Sequence, residues 1–151
     1  MPDRATRLPG PTRMTRRAFW RRYGRLEHER LEFKRSANHV QESIVAMAMA
    51  RGGVIVLGVT DDRALAGCEV DQATLDRIAL VAHETQVDVE VRPVRVGCTP
   101  LALVVVPAVC DRIVTTPDGR ILRRLGSANQ PLRGDAVARF VRERDARVAA
   151  A

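Results

Sequence analysis

Residues 54–59 read VIVLGV, an unbroken apolar run directly after Gly52-Gly53. A strand with one wet face alternates polar and apolar side chains, so a run without interruption belongs to a strand covered on both faces. Residues 101–106, LALVVV, make the same demand. The remaining segments must therefore supply two covering layers. Ser36 or Asn38 begins a helical pattern with Val40, Ile44, Met47 and Arg51 at turn spacing, and Gly52-Gly53 ends it. Asp71 is placed to cap a second helix with the stripe Leu75, Ile78, Ala79 and Ala82. The period then changes to two at Val87, Val89 and Val91. Thr116-Pro117-Asp118-Gly119 is a turn leading into residues 120–125, and Asp135 starts a last amphipathic helix with Val137, Phe140, Val141 and Val148. The order predicts an α+β fold: one compact domain, a mixed or mainly antiparallel sheet, and about three helices packed on it.

Ahead of that domain, expected over residues 26–149, charge is the dominant feature. Residues 1–35 hold eleven Lys/Arg against four acids, so the whole net charge of +7 lies there and the rest of the chain sums to zero. Residues 1–14 are expected to be a disordered basic leader. Residues 15–25 read as a short basic helix, with Thr15 as cap and Gly24 as stop. Its Phe19, Trp20 and Tyr23 are available for packing, and Trp20 is expected to pin the helix to the domain. Arg16, Arg17, Arg21 and Arg22 of this helix, with Arg35 beyond it, form a concentrated cationic segment. Such a segment attracts nucleic acid by releasing its counterions. A membrane partner is not expected. The longest apolar run, Leu101 to Cys110, is ten residues, well short of the roughly 18 needed to cross a bilayer. Three cysteines without a CxxC pair fit a reduced cytoplasm rather than a disulfide framework or a zinc site.

Several chemistries lack their motifs. No GxxxxGK[ST] loop is present, so ATP is not expected, and the histidines and serines lack HExxH and GxSxG contexts. What remains is carboxylates beside basic residues, as in EHERLEFKR at 27–35. Phosphodiester hydrolysis commonly uses a divalent metal held by carboxylates from separate elements. The candidates are Glu27, Glu29 and Glu32, with Asp61 and Asp62 at the tip of the first buried strand. Spacing does not choose among them. Glu27 and Glu32, five apart, fall on opposite faces of a strand and converge only if the chain bends between Leu26 and Leu31.

LEFKRSAN, then AMAMARGGVIVLGVTDD with GCEV shortly after, then ILRRLGSANQP, together resemble the Schlafen-type AlbA-like domain over about residues 26–135. The chain departs from that pattern at Met49-Ala50, where an alanine-asparagine pair is usual. It departs again at Thr60, where an aspartate is usual, so that the acidic pair falls on Asp61-Asp62. Many bacterial members are DNA-binding or regulatory modules, often joined to a C-terminal winged helix that is expected to be missing here. The resemblance therefore implies a nucleic-acid-binding domain. It also implies an alternative, a metal-dependent endoribonuclease acting on structured RNA such as tRNA, as related animal domains do. On that alternative Glu27, Glu32 and Asp61 would be catalytic and would hold Mg2+ or Mn2+. Lys34 would lie near the phosphate, with Arg123 and Arg124 as further contacts. The animal enzymes build their groove from two such domains, and a homodimer of this chain would close a comparable one. A third expectation is a non-enzymatic regulatory or protein-interaction module whose basic segment meets an acidic partner.

Overall fold

The computed structural model describes residues 10–150. In chain order the elements are β1 (Arg13–Met14), α1 (Arg16–Tyr23), β2 (Leu31–Lys34), a 3-10 turn (Ala37–His39) and α2 (Gln41–Ala48). There follow β3 (Gly53–Leu57), α3 (Gln72–Thr85), β4 (Glu90–Val96), β5 (Thr99–Val106), β6 (Leu122–Leu125), β7 (Ala128–Pro131) and α4 (Asp135–Ala150). Five strands form one mixed sheet in the order β1-β4-β5-β3-β2, and β6-β7 is a separate hairpin. β2 and β3 run parallel, joined through α2, while β5 pairs antiparallel with both β3 and β4. This is the expected α+β class, with a mixed sheet and, among the described residues, four helices.

The two apolar runs are the sheet's central strands, β3 and β5, and each is packed on both faces. Val54 and Val56 of β3 join Leu31, Phe33, Leu101 and Leu103 beneath Phe19 and Tyr23 of α1. Ile55 and Leu57 point the other way, into the core with α2, Ile78 of α3 and Leu122 of β6. Helix α1 is thus one of the covering layers. Thr15 caps it by accepting from the Ala18 N–H, and Phe19 is wholly buried, which stabilises by about 2–3 kcal/mol. Trp20 packs edge-on against Phe19 and lies near Phe33, with Arg25 over its outer face, so it anchors the helix as expected. No described helix is long and apolar enough to cross a membrane.

Four details depart from the sequence reading. Residues 1–9 of the expected leader lie outside the described residues, but Arg13–Met14 form an edge strand parallel to β4. β4 begins at Glu90, not Val87: Gln86 closes α3 in the left-handed region (φ 59°), and Val87 is spent filling the core below the turn. On α3 only Ile78 of the stripe is deeply buried, and Leu75 remains 37% exposed. On α4, Val148 is exposed, and the residue that buries is Arg144, which donates to the carbonyls of Val109 and Met49.

Candidate functional site

In β2, Leu31 and Phe33 face α1, so alternation turns Glu32 and Lys34 to the opposite face, toward α2 and the β6-β7 hairpin. The chain before β2 bends sharply. His28 and Leu31 exchange backbone hydrogen bonds of 3.1 Å in both directions, and the His28 Nδ1 accepts from the Arg30 N–H. The bend required to bring Glu27 to Glu32 is therefore present. Glu27 folds back along the strand, its Oε2 accepting from the Phe33 N–H at 3.4 Å, and its carboxyl lies against that of Glu32.

Three cations surround this pair. Lys34 Nζ is 3.3 Å from Glu32 Oε1, and Arg124 Nη1 is 2.5 Å from Glu32 Oε2. Arg63 Nη2 is 3.3 Å from Glu27 Oε1. Arg63 also donates to the carbonyls of Arg25 and Asp61 and lies 4.8 Å over the Phe33 ring, so it fastens the loop after β3 to the bend before β2. Nothing in the sequence marks Arg63. The same holds for Asn129, whose amide joins the Arg124 guanidinium to the buried Ser43 hydroxyl.

The other anticipated residues separate into groups. Arg16, Arg17, Arg21, Arg22 and Arg35 are exposed, Arg123 is exposed, and Lys34 is half-buried. Arg124, expected as a phosphate contact, is instead an internal strut. It is 2% exposed, and its two terminal nitrogens are taken up by Glu32, Asn129 and the carbonyls of His28 and Leu31. Asp61 sits exposed in the turn beyond β3, while its neighbour Asp62 accepts from the Thr60 hydroxyl, which holds the Asp62 carboxyl below its ordinary range. Thr60, where the Schlafen-type pattern has an aspartate, thus shapes the acidic turn. Glu27 and Glu32 supply two hard oxygen donors side by side, but all four of their oxygens already face a donor. Among the described residues no three His, Cys, Asp or Glu side chains are grouped to hold a metal ion.

Burial, and next the adjoining Glu32 carboxyl, push Glu27 above its ordinary value, against the opposing pull of the Phe33 N–H and Arg63. A carboxyl raised on folding adds stability that is fully present below its unfolded pKa and lost as pH rises through the folded one. Glu27→Gln should therefore raise the urea midpoint at pH 7. The gain should vanish as the pH falls below the ordinary glutamate value of 4.5. A midpoint change that is the same at both pH values would show that the gain does not come from ionisation of Glu27.

The model for the family described as Schlafen, AlbA_2 matches residues 27–133, more than half of the chain. No curated protein matches. Among solved structures, the DIP2311 protein from Corynebacterium diphtheriae aligns with a TM-score of 0.63 at 17% identity, covering 79% of this chain and 27% of that one. The chain thus spans about a quarter of that protein's length, and the likeness is one of fold. The N-terminal domain of a protein from Nitrosomonas europaea, related to the ATP-dependent DNA helicase RecG, aligns with a TM-score of 0.45 at 21% identity. That alignment covers 60% of this chain and 69% of that one. The matched span begins at Glu27 and closes just past the β6-β7 hairpin, so it takes in the carboxylate pair and the cations around it. The chain belongs to the Schlafen AlbA_2 family.

Proposed function

We propose that this domain binds nucleic acid through the exposed arginines of α1, with Lys34 and Arg35 at the end of β2 as further cations. The observation that carries the reading is the mounting of α1. Phe19 and Tyr23 fix the helix to the sheet, while Arg16, Arg17, Arg21 and Arg22 stay exposed and meet no carboxylate among the described residues. Cations held on a rigid helix lose little freedom on meeting phosphates, and the counterions they release drive association. Arg17 and Arg21, one helical turn apart, share a face.

The test is binding to duplex RNA and DNA over a range of salt. The logarithm of affinity should fall linearly with the logarithm of salt, and Arg17→Gln with Arg21→Gln should reduce that slope by about 2. An unchanged slope, or no binding by the unaltered protein, would overturn the reading.

A second reading, a metal-dependent endoribonuclease acting on structured RNA, is favoured by one observation: the adjoining Glu27 and Glu32 carboxyls beside Lys34. Mg2+ or Mn2+ there would activate water and offset the charge that builds on phosphate. Asp61 would have to join from its exposed turn, and Lys34 would draw the phosphate in. Cleavage of tRNA that requires added metal and is lost in Glu27→Gln supports this reading, and intact tRNA removes it.

A further inference from the structure

A second concave site lies on the other side of Arg124. A groove of about 420 Å³ runs between β6, the end of α2 and the last turns of α4, lined by five arginines and two glutamates. Arg51 in the turn after α2, Arg123 of β6 and Arg147 of α4 are exposed and make no ion pair among the described residues. Leu125, 54% exposed, and the half-buried Phe140 give the groove an apolar flank. Arg124 lines it as well, and the Arg124 Nε is buried without a hydrogen-bond partner among the described residues. The wall is fixed: Arg144 of α4 donates to the Met49 carbonyl at the end of α2.

We propose that this groove is a nucleotide-binding subsite, taking a phosphate on Arg51, Arg123 and Arg147 and the attached base against Phe140 and Leu125. The inference rests on the nucleic-acid reading and extends it to a place where one unit of a single strand is gripped. The volume is within the range of about 300–1,000 Å³ typical of small-molecule sites. Three free guanidinium groups suit a phosphate, which accepts from several donors at once. The apolar flank suits a base, since every base offers a π-face to an apolar or aromatic surface. Glu29 and Glu143 line the same groove. Both can accept from the exocyclic amines of a base, donors that the acidic side chains of a peptide do not offer. Arg124 is the wall shared with the carboxylate pair, because its Nη1 bonds Glu32.

The test uses a short 5′-phosphorylated single-stranded RNA and, separately, adenosine monophosphate. Arg51→Gln, Arg123→Gln and Arg147→Gln should each weaken RNA binding by about tenfold. Arg142→Gln makes the same charge change on the opposite side of α4 and should weaken binding by less than about twofold. Adenosine monophosphate should shift the amide resonances of Gly126 and Phe140. RNA binding in which Arg142→Gln costs as much as Arg147→Gln overturns the groove while leaving general nucleic-acid binding in place. Absent RNA binding with the monophosphate shifts intact overturns the polymer reading and leaves the groove. Tighter binding of a polyglutamate peptide, with the same dependence on the three arginines, overturns the assignment to nucleotides.

Discussion

Arg124→Ala is expected to lower the unfolding free energy by about 3–5 kcal/mol, read from urea denaturation with the slope unchanged. Its side chain is wholly buried, and its terminal nitrogens serve Glu32, Asn129 and the carbonyls of His28 and Leu31. Removing it leaves a buried carboxylate against Glu27, with Lys34 as its remaining cation, and deprives two backbone acceptors at the bend. Breaking a buried pair costs more than the pair is worth, because the surviving charge is stranded. Most domains are stable by only about 5–15 kcal/mol, so the loss is a large share of the total.

Two further variants separate the causes. Glu32→Gln added to Arg124→Ala should recover part of the deficit, since it removes the stranded charge but not the lost backbone bonds. Arg124→Lys should recover little, because an ammonium cannot reproduce the planar fork that reaches four acceptors from one position. A deficit under about 1 kcal/mol would mean that Arg124 is no strut, since surface ion pairs give values in that range.

Arg124 also shows where the sequence is legible and where it is not. The runs at 54–59 and 101–106 could be read as central strands, because burial on both faces writes itself locally as unbroken hydrophobicity. The caps Thr15 and Asp71 were equally plain, since each bonds within three residues of itself. Arg124 reads as a surface cation because three of its four partners lie more than ninety residues away in the chain. One local signal was nevertheless present. If Leu122 faces inward, period two puts Arg124 on the same side and Arg123 outside, which is what β6 does. Arg144 carried no such signal, as it is held by carbonyls of residues 49 and 109. Edge strand β1, two residues long, exists only through pairing with β4 some eighty positions on. Of the carboxylate site, the resemblance singles out Glu27, Glu32 and Asp61; the fold brings the first two together and leaves Asp61 in its exposed turn. The cation opposite Glu27, Arg63, comes from a loop whose course depends on the glycine just after β3.

That glycine, Gly58, is a position where a single methyl group should do great harm. Its φ is 105°, a region that side chains rarely enter, and a Cβ there would lie 2.8 Å from both the Cys68 nitrogen and the Gly67 carbonyl carbon. The Gly58 N–H donates to the Lys34 carbonyl, and its own carbonyl accepts from Ala66 and Gly67. It is therefore the crossing point of β2, β3 and the 60–67 loop, and neither backbone can withdraw without breaking these bonds. Gly58→Ala should cost about 3–4 kcal/mol, combining dihedral strain with a backbone collision, and lower Tm by about 10 °C. Gly97→Ala supplies the comparison: φ is 61° in the β4-β5 turn, and nothing lies within 4 Å of the added atom. It bears the dihedral cost alone, about 1–2 kcal/mol. Equal losses at the two glycines would show that crowding at Gly58 contributes nothing. A larger loss at Gly58, accompanied by displaced resonances for the Arg63 side chain, would tie the packing of one glycine to the cation that faces Glu27.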